Sequence, residues 1–321
     1  MLAIDSPFTN PYLNLAAEEY LLKEWRDDIF FLYTDEPSVI VGKHQVTLAE
    51  VNYQFARENN ILIARRLSGG GTVFHDQGNL NFTFIRNGVE GALVQFRACT
   101  DPIIFALNEL QIPAERGEKN DLLLSGKKIS GNAEHVYHQR TLHHGTLLFD
   151  SNLEHLKQVL HPAGKYSHKG VASRRSEVVN IAPFLGNPDR HAFRKFLFSF
   201  IVQQHHASLY CFTDEDRRKI IELSATKYRT WEWIYAYSPD YYLEKEAETL
   251  FGTVIIKLSV TKGFIRHISL TGSAIQKELD YISVALKNAR LEENYLLNTI
   301  PDKLPSPDFV KVFNTILPVL F

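Results

Sequence analysis

The sequence predicts a mixed α/β (α+β) fold, with one large domain and a small α+β unit towards its end. Three observations carry that expectation. Short apolar runs of strand length alternate with segments of helical period along most of the chain. Three consecutive glycines in "RRLSGGGTVFHD" (65–76) stand between two strand-like runs, not between a strand and a helix. Near "AYSPDYYLEKEAE" the texture changes, and a hairpin with an amphipathic helix follows. The division falls near residue 245, giving domains 1–245 and 246–321. With 321 residues, 45% of them hydrophobic and 22% charged, the larger part has material for a substantial core.

The elements follow in order. "NLAAEEYLLKEW" (14–25) spaces Leu15, Ala16, Tyr20 and Leu21 at helical intervals, with Asn14 available as a cap. "DIFFLYT" and "SVIVGK" are strands, broken by Asp35, Glu36 and Pro37. A helix over Leu48 to Glu58 precedes the strand "NILIARRL". In "NLNFTFI" (79–85), Leu80, Phe82 and Phe84 share one face, with Asn81, Thr83 and Ile85 opposite. Residues 100–112 predict a helix, and "NDLLLSGKKISGNA" (120–133) a hairpin turning at Gly126. "TLHHGTLLFD" (141–150) is a strand and "NLEHLKQVL" a short helix. Residues 161–176, rich in Gly, Ser and Lys without a period, predict a mobile loop over a site. Helices follow at 190–205 and 214–224. The aromatic run "YRTWEWIYAYSPDYY" (228–242) has few basic residues, so it predicts packing between domains, not base stacking. The last part reads as a hairpin turning at Lys262–Gly263, a helix at 275–290 and a further short helical piece.

Composition narrows the function. A net charge of -2, from 35 basic and 37 acidic side chains, argues against a nucleic-acid coat or a polybasic membrane binder. Cys99 and Cys211 alone form neither a disulfide framework nor a CxxC metal pattern. The first residues lack the charged and apolar regions of a leader, and no apolar run nears the roughly 20 residues that span a bilayer. A cytoplasmic protein without nucleic-acid or membrane partners is expected.

Two stretches carry candidate chemistry. Glycine loses more backbone entropy on folding than any other residue, so three together imply close approach of a ligand to the backbone. Arg65 and Arg66 beside them make an anion the natural ligand. The form is not a Walker loop, because Thr72, Val73 and Phe74 follow Gly71. In the hairpin at 120–133, Lys127 and Lys128 point to opposite sides of a strand, so one can face inward. Asp121 there is either a turn residue or a carboxylate for Mg2+ brought by a nucleotide. His143 and His144 face opposite sides and have no Cys or acid at metal spacing, so no zinc is expected. A Ser68–His75–Asp76 hydrolase is disfavoured, since G-x-S-x-G is absent and an adjacent His and Asp do not readily pair.

Taken together, "NLAAEEYLL", "VIVGKHQ", "RRLSGGGTVFHDQGNLNFTF", "NDLLLSGKKISGNA", "HHGTLLFD", "GVASRRSEVVN" and "TWEW" resemble the lipoate–protein ligase A family, in the family's order, over roughly residues 10 to 235. The resemblance implies a large ligase domain of mixed sheets flanked by helices, shared with biotin ligases, and a small C-terminal accessory domain. It implies a two-step reaction, in which lipoate and ATP give lipoyl-AMP and pyrophosphate, and the acyl group then passes to a lysine of an apo lipoyl domain. By similarity, ATP and lipoyl-AMP contacts fall at Arg66, Ser68, Gly69, Gly70, Gly71, Thr72, Val73, Phe74, Asn79, Asp121, Lys128 and Ser130. Lipoate contacts fall at Glu18, Arg65, Arg66, Lys128, His144 and Gly145. Lys128 is the catalytic candidate: an ammonium between the carboxylate and the α-phosphate lowers their repulsion. The loop at 161–176 resembles the segment that reorders around the adenylate in relatives.

The implied cofactors are ATP with Mg2+, Asp121 holding the ion, and no tightly bound metal is expected. The implied carriers are 2-oxoacid dehydrogenase E2 subunits and the glycine-cleavage H protein, met by a monomer. The nearest alternative is a lipoyl or octanoyl transferase working without ATP activation. Cysteine-dependent transferases carry their nucleophile after the "HHGTLL" strand, where this chain has no cysteine between Cys99 and Cys211. A biotin ligase would carry GRGRxxR, which is absent. A non-catalytic binder of acylated carriers has no use for Lys128 and the Arg–Gly run together.

Overall fold

A computed structural model describes residues 1–88, 96–118, 120–174, 176–186 and 189–321. Its contacts divide the chain into two compact units, and both are discontinuous in sequence. The first comprises Met1–Lys43, Ile61–Lys157 and Ser173–Arg229; the second comprises His44–Asn60, Gln158–Ala172 and Thr230–Phe321.

The first unit opens with β1 (Leu2–Asp5), α1 (Pro11–Glu24), β2 (Ile29–Tyr33) and β3 (Ser38–Val41). Two short helices of the second unit come next, α2 (Thr47–Glu50) and α3 (Tyr53–Glu58). The first unit resumes with β4 (Leu62–Arg65), β5 (Val73–His75), β6 (Asn79–Asn87), α4 (Phe96–Glu109), β7 (Ala114–Arg116) and β8 (Leu122–Leu124). It continues through β9 (Lys127–Ser130), β10 (Asn132–Tyr137), β11 (Arg140–Leu148) and α5 (Leu153–Val159). After β12 (Lys165–His168), which belongs to the second unit, come α6 (Arg190–Gln204), β13 (Ser208–Leu209) and α7 (Asp214–Leu223).

A six-stranded mixed sheet, ordered β10-β11-β6-β2-β1-β13, organises this unit. One of its faces supplies Phe30, Leu32, Leu80, Phe82, Phe84 and Leu147 to a core completed by Ile103 and Leu107 of α4 and Leu197 and Ile201 of α6. The other face is polar along β6, because strand residues alternate sides, and there Asn81 and Thr83 are buried. Two three-stranded sheets, β4-β3-β5 and β7-β8-β9, frame the glycine turn and the lysine hairpin.

The second unit adds β14 (Tyr241–Thr249), β15 (Gly252–Thr261), β16 (Phe264–Thr271), α8 (Gln276–Leu286), α9 (Glu293–Thr299) and α10 (Pro307–Ile316). Its sheet runs β12-β14-β15-β16. The apolar face of β15, from Val254 to Val260, packs on Leu279, Ile282, Phe313 and Ile316. Val46 and Leu48 join this core from the early segment.

Several expectations are corrected. Residue 245 lies inside β14, and the division by contacts falls between Arg229 and Thr230. The helix expected over Leu48–Glu58 is two pieces, because Val51 is extended and the Asn52 side chain caps α3 by accepting from the Phe55 amide at 3.1 Å. The segment 161–176 is not all loop: Lys165–His168 pairs antiparallel with β14. Its four residues are too few to show a period. In the aromatic stretch, Tyr228 is buried in the first unit, while Trp231, in the second, donates to the Leu291 carbonyl at 3.1 Å. Lys262 and Gly263 do form the β15–β16 turn, both with positive φ. Among the described residues no helix is long and apolar enough to cross a membrane.

Candidate active site

The glycine turn joins β4 to β5 and is shaped by Arg66. That guanidinium is buried, and its Nη2 donates to the carbonyls of Gly69 and Gly71, both at 2.7 Å. Nη1 reaches the Ile40 carbonyl at 3.0 Å, and Nε donates to Ser68 Oγ at 3.0 Å. With its carbonyls drawn to Arg66, the turn keeps amide groups for a ligand. Among the described residues, the amides of Gly69, Gly70 and Gly71 have no protein partner. Gly70 sits at φ 86, in the left-handed region that glycine enters without strain. The Thr72 amide donates to Ser173 Oγ at 2.8 Å, which brings Ser173 against the turn. Burial pulls the Arg66 pKa down to about 10, opposed by Glu18 and Tyr33, so the group stays charged at neutral pH.

Arg65 is engaged by backbone carbonyls. Its side chain is wholly buried and donates to the carbonyls of Gly42 at 2.9 Å and Lys43 at 3.0 Å. It ties the end of β4 to the segment following β3. Phe74 is buried, and Val73 lies at the surface of the same strand, partly exposed.

Beneath the turn lies a hydrogen-bonded cluster. Ser68 Oγ is 2.6 Å from His144 Nε2, and His144 Nδ1 is 3.1 Å from each oxygen of Glu18. Tyr33 donates to Glu18 at 3.1 Å, and Thr83 donates to the same carboxylate. Burial alone would raise the pKa of Glu18, but His144, Thr83 and Tyr33 together bring it below the ordinary carboxylate value. The Tyr33 hydroxyl is driven well up by burial and by Glu18. Register explains the assembly, since His144 on β11 stands opposite Thr83 on β6. Gly145, next along, stands opposite Phe82 and leaves room for its ring.

The lysine hairpin forms as expected, with Ser125 and Gly126 at positive φ in its turn. Lys128 Nζ lies 2.7 Å from Asp121 Oδ1, with both side chains about three-quarters buried. Lys127 is more exposed and pairs with Glu177 at 2.6 Å. The Lys128 backbone is fixed on both sides: its amide donates to the Glu177 carbonyl at 2.9 Å, and its carbonyl accepts from Val179 at 3.0 Å. Ser173 thus meets the glycine turn, while Glu177 and Val179 hold the backbone of the catalytic candidate. Ser130 is buried and accepts from Asn132 at 3.1 Å. Asn79 is buried, donates to Asn81 Oδ1 at 2.7 Å, and leaves its own Oδ1 without a partner among the described residues.

The histidines fall as their strand position requires. His143 faces away from His144 and meets Glu134 at 2.9 Å and Asn132 at 3.1 Å. The structure does bring a cysteine and an acid to it: ligand atoms of Cys99, Glu134 and His143 lie within 4.8 Å of one another. Both ring nitrogens of His143 are already engaged, however, and burial pushes the Cys99 thiol up to about 12. His75 does not pair with Asp76. It meets Asp35 at 2.8 Å, while Asp76 accepts from the amides of Gly78 and Asn152.

Sequence reasoning missed Tyr33, Thr83 and Ser173. Thr83 had a signal in the polar face of β6; Tyr33, inside an apolar run, had none.

Comparison with known proteins identifies the family. The family described as "Lipoyl protein ligase A/B catalytic domain" matches residues 10–201. "Lipoate--protein ligase 1" of Staphylococcus aureus is 41% identical over 269 residues, covering 82% of each chain. "Lipoate-protein ligase LplJ" of Bacillus subtilis is 35% identical over 328 residues, covering 98% of this chain and 97% of its own. A crystal structure of lipoate-protein ligase A bound with ATP superposes with a TM-score of 0.62 at 27% identity, over 72% of this chain and 96% of that one. A bipartite lipoate protein ligase of Thermoplasma acidophilum, studied with its E2 lipoyl domain, gives 0.62 and 27%, over 73% and 94%. Matched along nearly its whole length, the chain belongs to the lipoate–protein ligase family.

Proposed function

We propose that this enzyme joins lipoate to ATP, giving lipoyl-AMP and pyrophosphate, and then transfers the lipoyl group to a lysine of an apo lipoyl domain. The observation that carries the reading is the arrangement of Lys128. It is an ammonium about three-quarters buried, paired with Asp121, whose backbone is held by Glu177 and Val179.

A carboxylate attacking the α-phosphorus must bring two anions together. Lys128 offsets that repulsion and stabilises the charge that develops on the acyl oxygen at transfer. The free amides of Gly69–Gly71, with Thr72, take the phosphate and the nucleotide edge. Arg66 acts chiefly by holding the turn in shape. The lipoyl chain lies along Glu18, His144 and Gly145. Mg2+ fits the donor set, since one carboxylate, Asp121, together with nucleotide phosphates is how this hard ion is usually held. It would neutralise phosphate charge, and Asp121 would exchange its bond to Lys128 for the ion. The carriers are E2 lipoyl domains and the glycine-cleavage H protein, met by a cytoplasmic monomer.

Lys128→Ala is expected to slow lipoate-dependent pyrophosphate release by an amount equivalent to about 3–4 kcal/mol, the usual loss for a preorganised charge-stabilising donor. Lys127→Ala, at a more exposed site, is expected to stay within a few-fold of wild type. Equal, mild losses in the two variants would contradict the assignment.

A further inference from the structure

On the face of β11 opposite His144, His143 stands between two acceptors, and a neutral imidazole can serve only one of them. The Asn132 side chain donates through Nδ2 to the Asn120 carbonyl at 2.8 Å and to Ser130 Oγ at 3.1 Å. Its Oδ1 is thereby turned to His143 Nε2, 3.1 Å away, so Nε2 carries the ring proton. Nδ1 is then a lone pair facing Glu134 Oε1 at 2.9 Å. Two acceptors this close need a positive centre, either an extra proton or a metal ion. Burial holds the His143 pKa below its ordinary value despite Glu134, which disfavours the proton. Glu134 has a further need: its side chain is only 5% exposed, and Oε2 is buried with no partner among the described residues. Cys99, buried in the first turn of α4, completes the group, and one ligand atom from each of the three residues lies within 4.8 Å of the others.

We propose that Cys99, Glu134 and His143 form a structural site for one Zn2+ ion, separate from the nucleotide and lipoate chemistry. Thiolate, imidazole and carboxylate are the donors this ion takes, four at a time, at about 2.0–2.3 Å. Tetrahedral bonds of that length hold the ligand atoms roughly 3.3–3.6 Å apart. The separations present here, from 2.9 to 4.8 Å, bracket that spacing, so small side-chain rotations suffice. Sγ, Nδ1 and both oxygens of Glu134 make four donors, which gives Oε2 the partner it lacks. Nε2–H keeps its bond to Asn132 Oδ1, the arrangement that orients a metal-bound histidine. On binding, the Cys99 S–H bond breaks, an S–Zn bond forms and the proton passes to solvent. Arg86, beside the thiol, already favours its thiolate. The thiolate and carboxylate together balance the charge of the buried ion. The ion ties the first turn of α4 to β11 and to β10, the edge strand of the six-stranded sheet.

The test uses the full-length protein, unfolded in urea with a chelator, freed of metal and refolded with one equivalent of Co2+ or Zn2+, so that burial does not bar entry. Co2+ is expected to give a thiolate-to-metal charge-transfer band in the near ultraviolet, with the visible bands of a tetrahedral ion. Zn2+ should displace it one for one and raise the thermal midpoint. Cys99→Ser should remove the charge-transfer band, and Glu134→Gln and His143→Gln should each weaken Zn2+ binding by at least about tenfold. Cys211→Ser, at the exposed cysteine, should leave the spectrum unchanged. The wild-type spectrum needs no variant to fold, and circular dichroism checks that each variant has done so. The proposal is overturned if wild type shows no thiolate band, or if the band survives Cys99→Ser and disappears in Cys211→Ser. Equal Zn2+ affinity in all variants, the mark of an adventitious surface ion, overturns it too. None of these readouts involves ligation, so either result leaves the ligase reading to its own test.

Discussion

At Gly145 the space for a side chain is already filled, because an added Cβ would run into Asn132 Oδ1 and the ring of Phe82. The glycine thus lets β6, β10 and β11 close up beside His144, and it keeps an apolar wall next to a polar cluster. Gly145→Ala is expected to cost about 1–3 kcal/mol, typical of overpacking a filled site, measured as a shift in denaturant midpoint at unchanged slope. A variant as stable as wild type would mean that the strands separate easily at this point. Motif residues such as Arg66, Gly71 and Lys128 were visible because they lie in compact, chemically biased stretches. The partners of Ser68 were not visible. His144 lies 76 positions away, and Glu18 is 126 positions from His144, so no local spacing links the three. Arg65, next to Arg66 in sequence, is buried and donates to the carbonyls of Gly42 and Lys43, long-range partners that sequence neighbourhood does not reveal.

Among the elements, α7 is the one whose stability is tied most clearly to a single acid. Asp216 receives hydrogen bonds from Tyr20 at 2.6 Å, Tyr210 at 2.7 Å and the Thr213 hydroxyl at 2.7 Å, and it completes a capping box with Thr213. Burial by itself would raise its pKa, yet these donors bring it from 3.8 to about 2. Since folding lowers this pKa, the stabilisation is complete above the ordinary value and is lost as pH falls towards 2. Asp216→Asn should therefore lower unfolding free energy by about 2 kcal/mol at pH 7, with the gap to wild type closing between pH ~4 and ~2. A gap independent of pH would show that the asparagine acts through geometry alone. Elements with a clear helical period, such as α8, and strands with clean alternation, such as β6, were legible in the sequence. The strands β12 and β14 were not, because β12 has four residues and β14 carries Glu244, Lys245, Glu246 and Glu248 with only Tyr241 and Leu243 buried. Their place in the sheet is imposed by β15, whose alternating apolar face supplies the core.

On the scale of the whole molecule, the two units are interleaved along the chain, which composition could not reveal. Segments 44–60 and 158–172 leave the first unit to join the second, and Val46 and Leu48 enter its core. A boundary read from a change of texture finds only the last crossing of the chain, and here it fell within a strand. The elements that build the site, from α1 through the glycine turn to β11, all belong to the first unit, and the family match at residues 10–201 spans them. The central claim, that this unit activates lipoate with ATP before transfer, is tested most directly by one assay. The full chain is mixed with ATP, Mg2+ and lipoate, with and without an apo lipoyl domain, and pyrophosphate and the mass of the domain are measured together. Pyrophosphate release that requires lipoate, accompanied by one lipoyl mass increment on the domain, is the predicted result. No lipoate-dependent pyrophosphate, with synthetic lipoyl-AMP still modifying the domain, would contradict it and leave a transferase whose glycine turn only holds the adenylate.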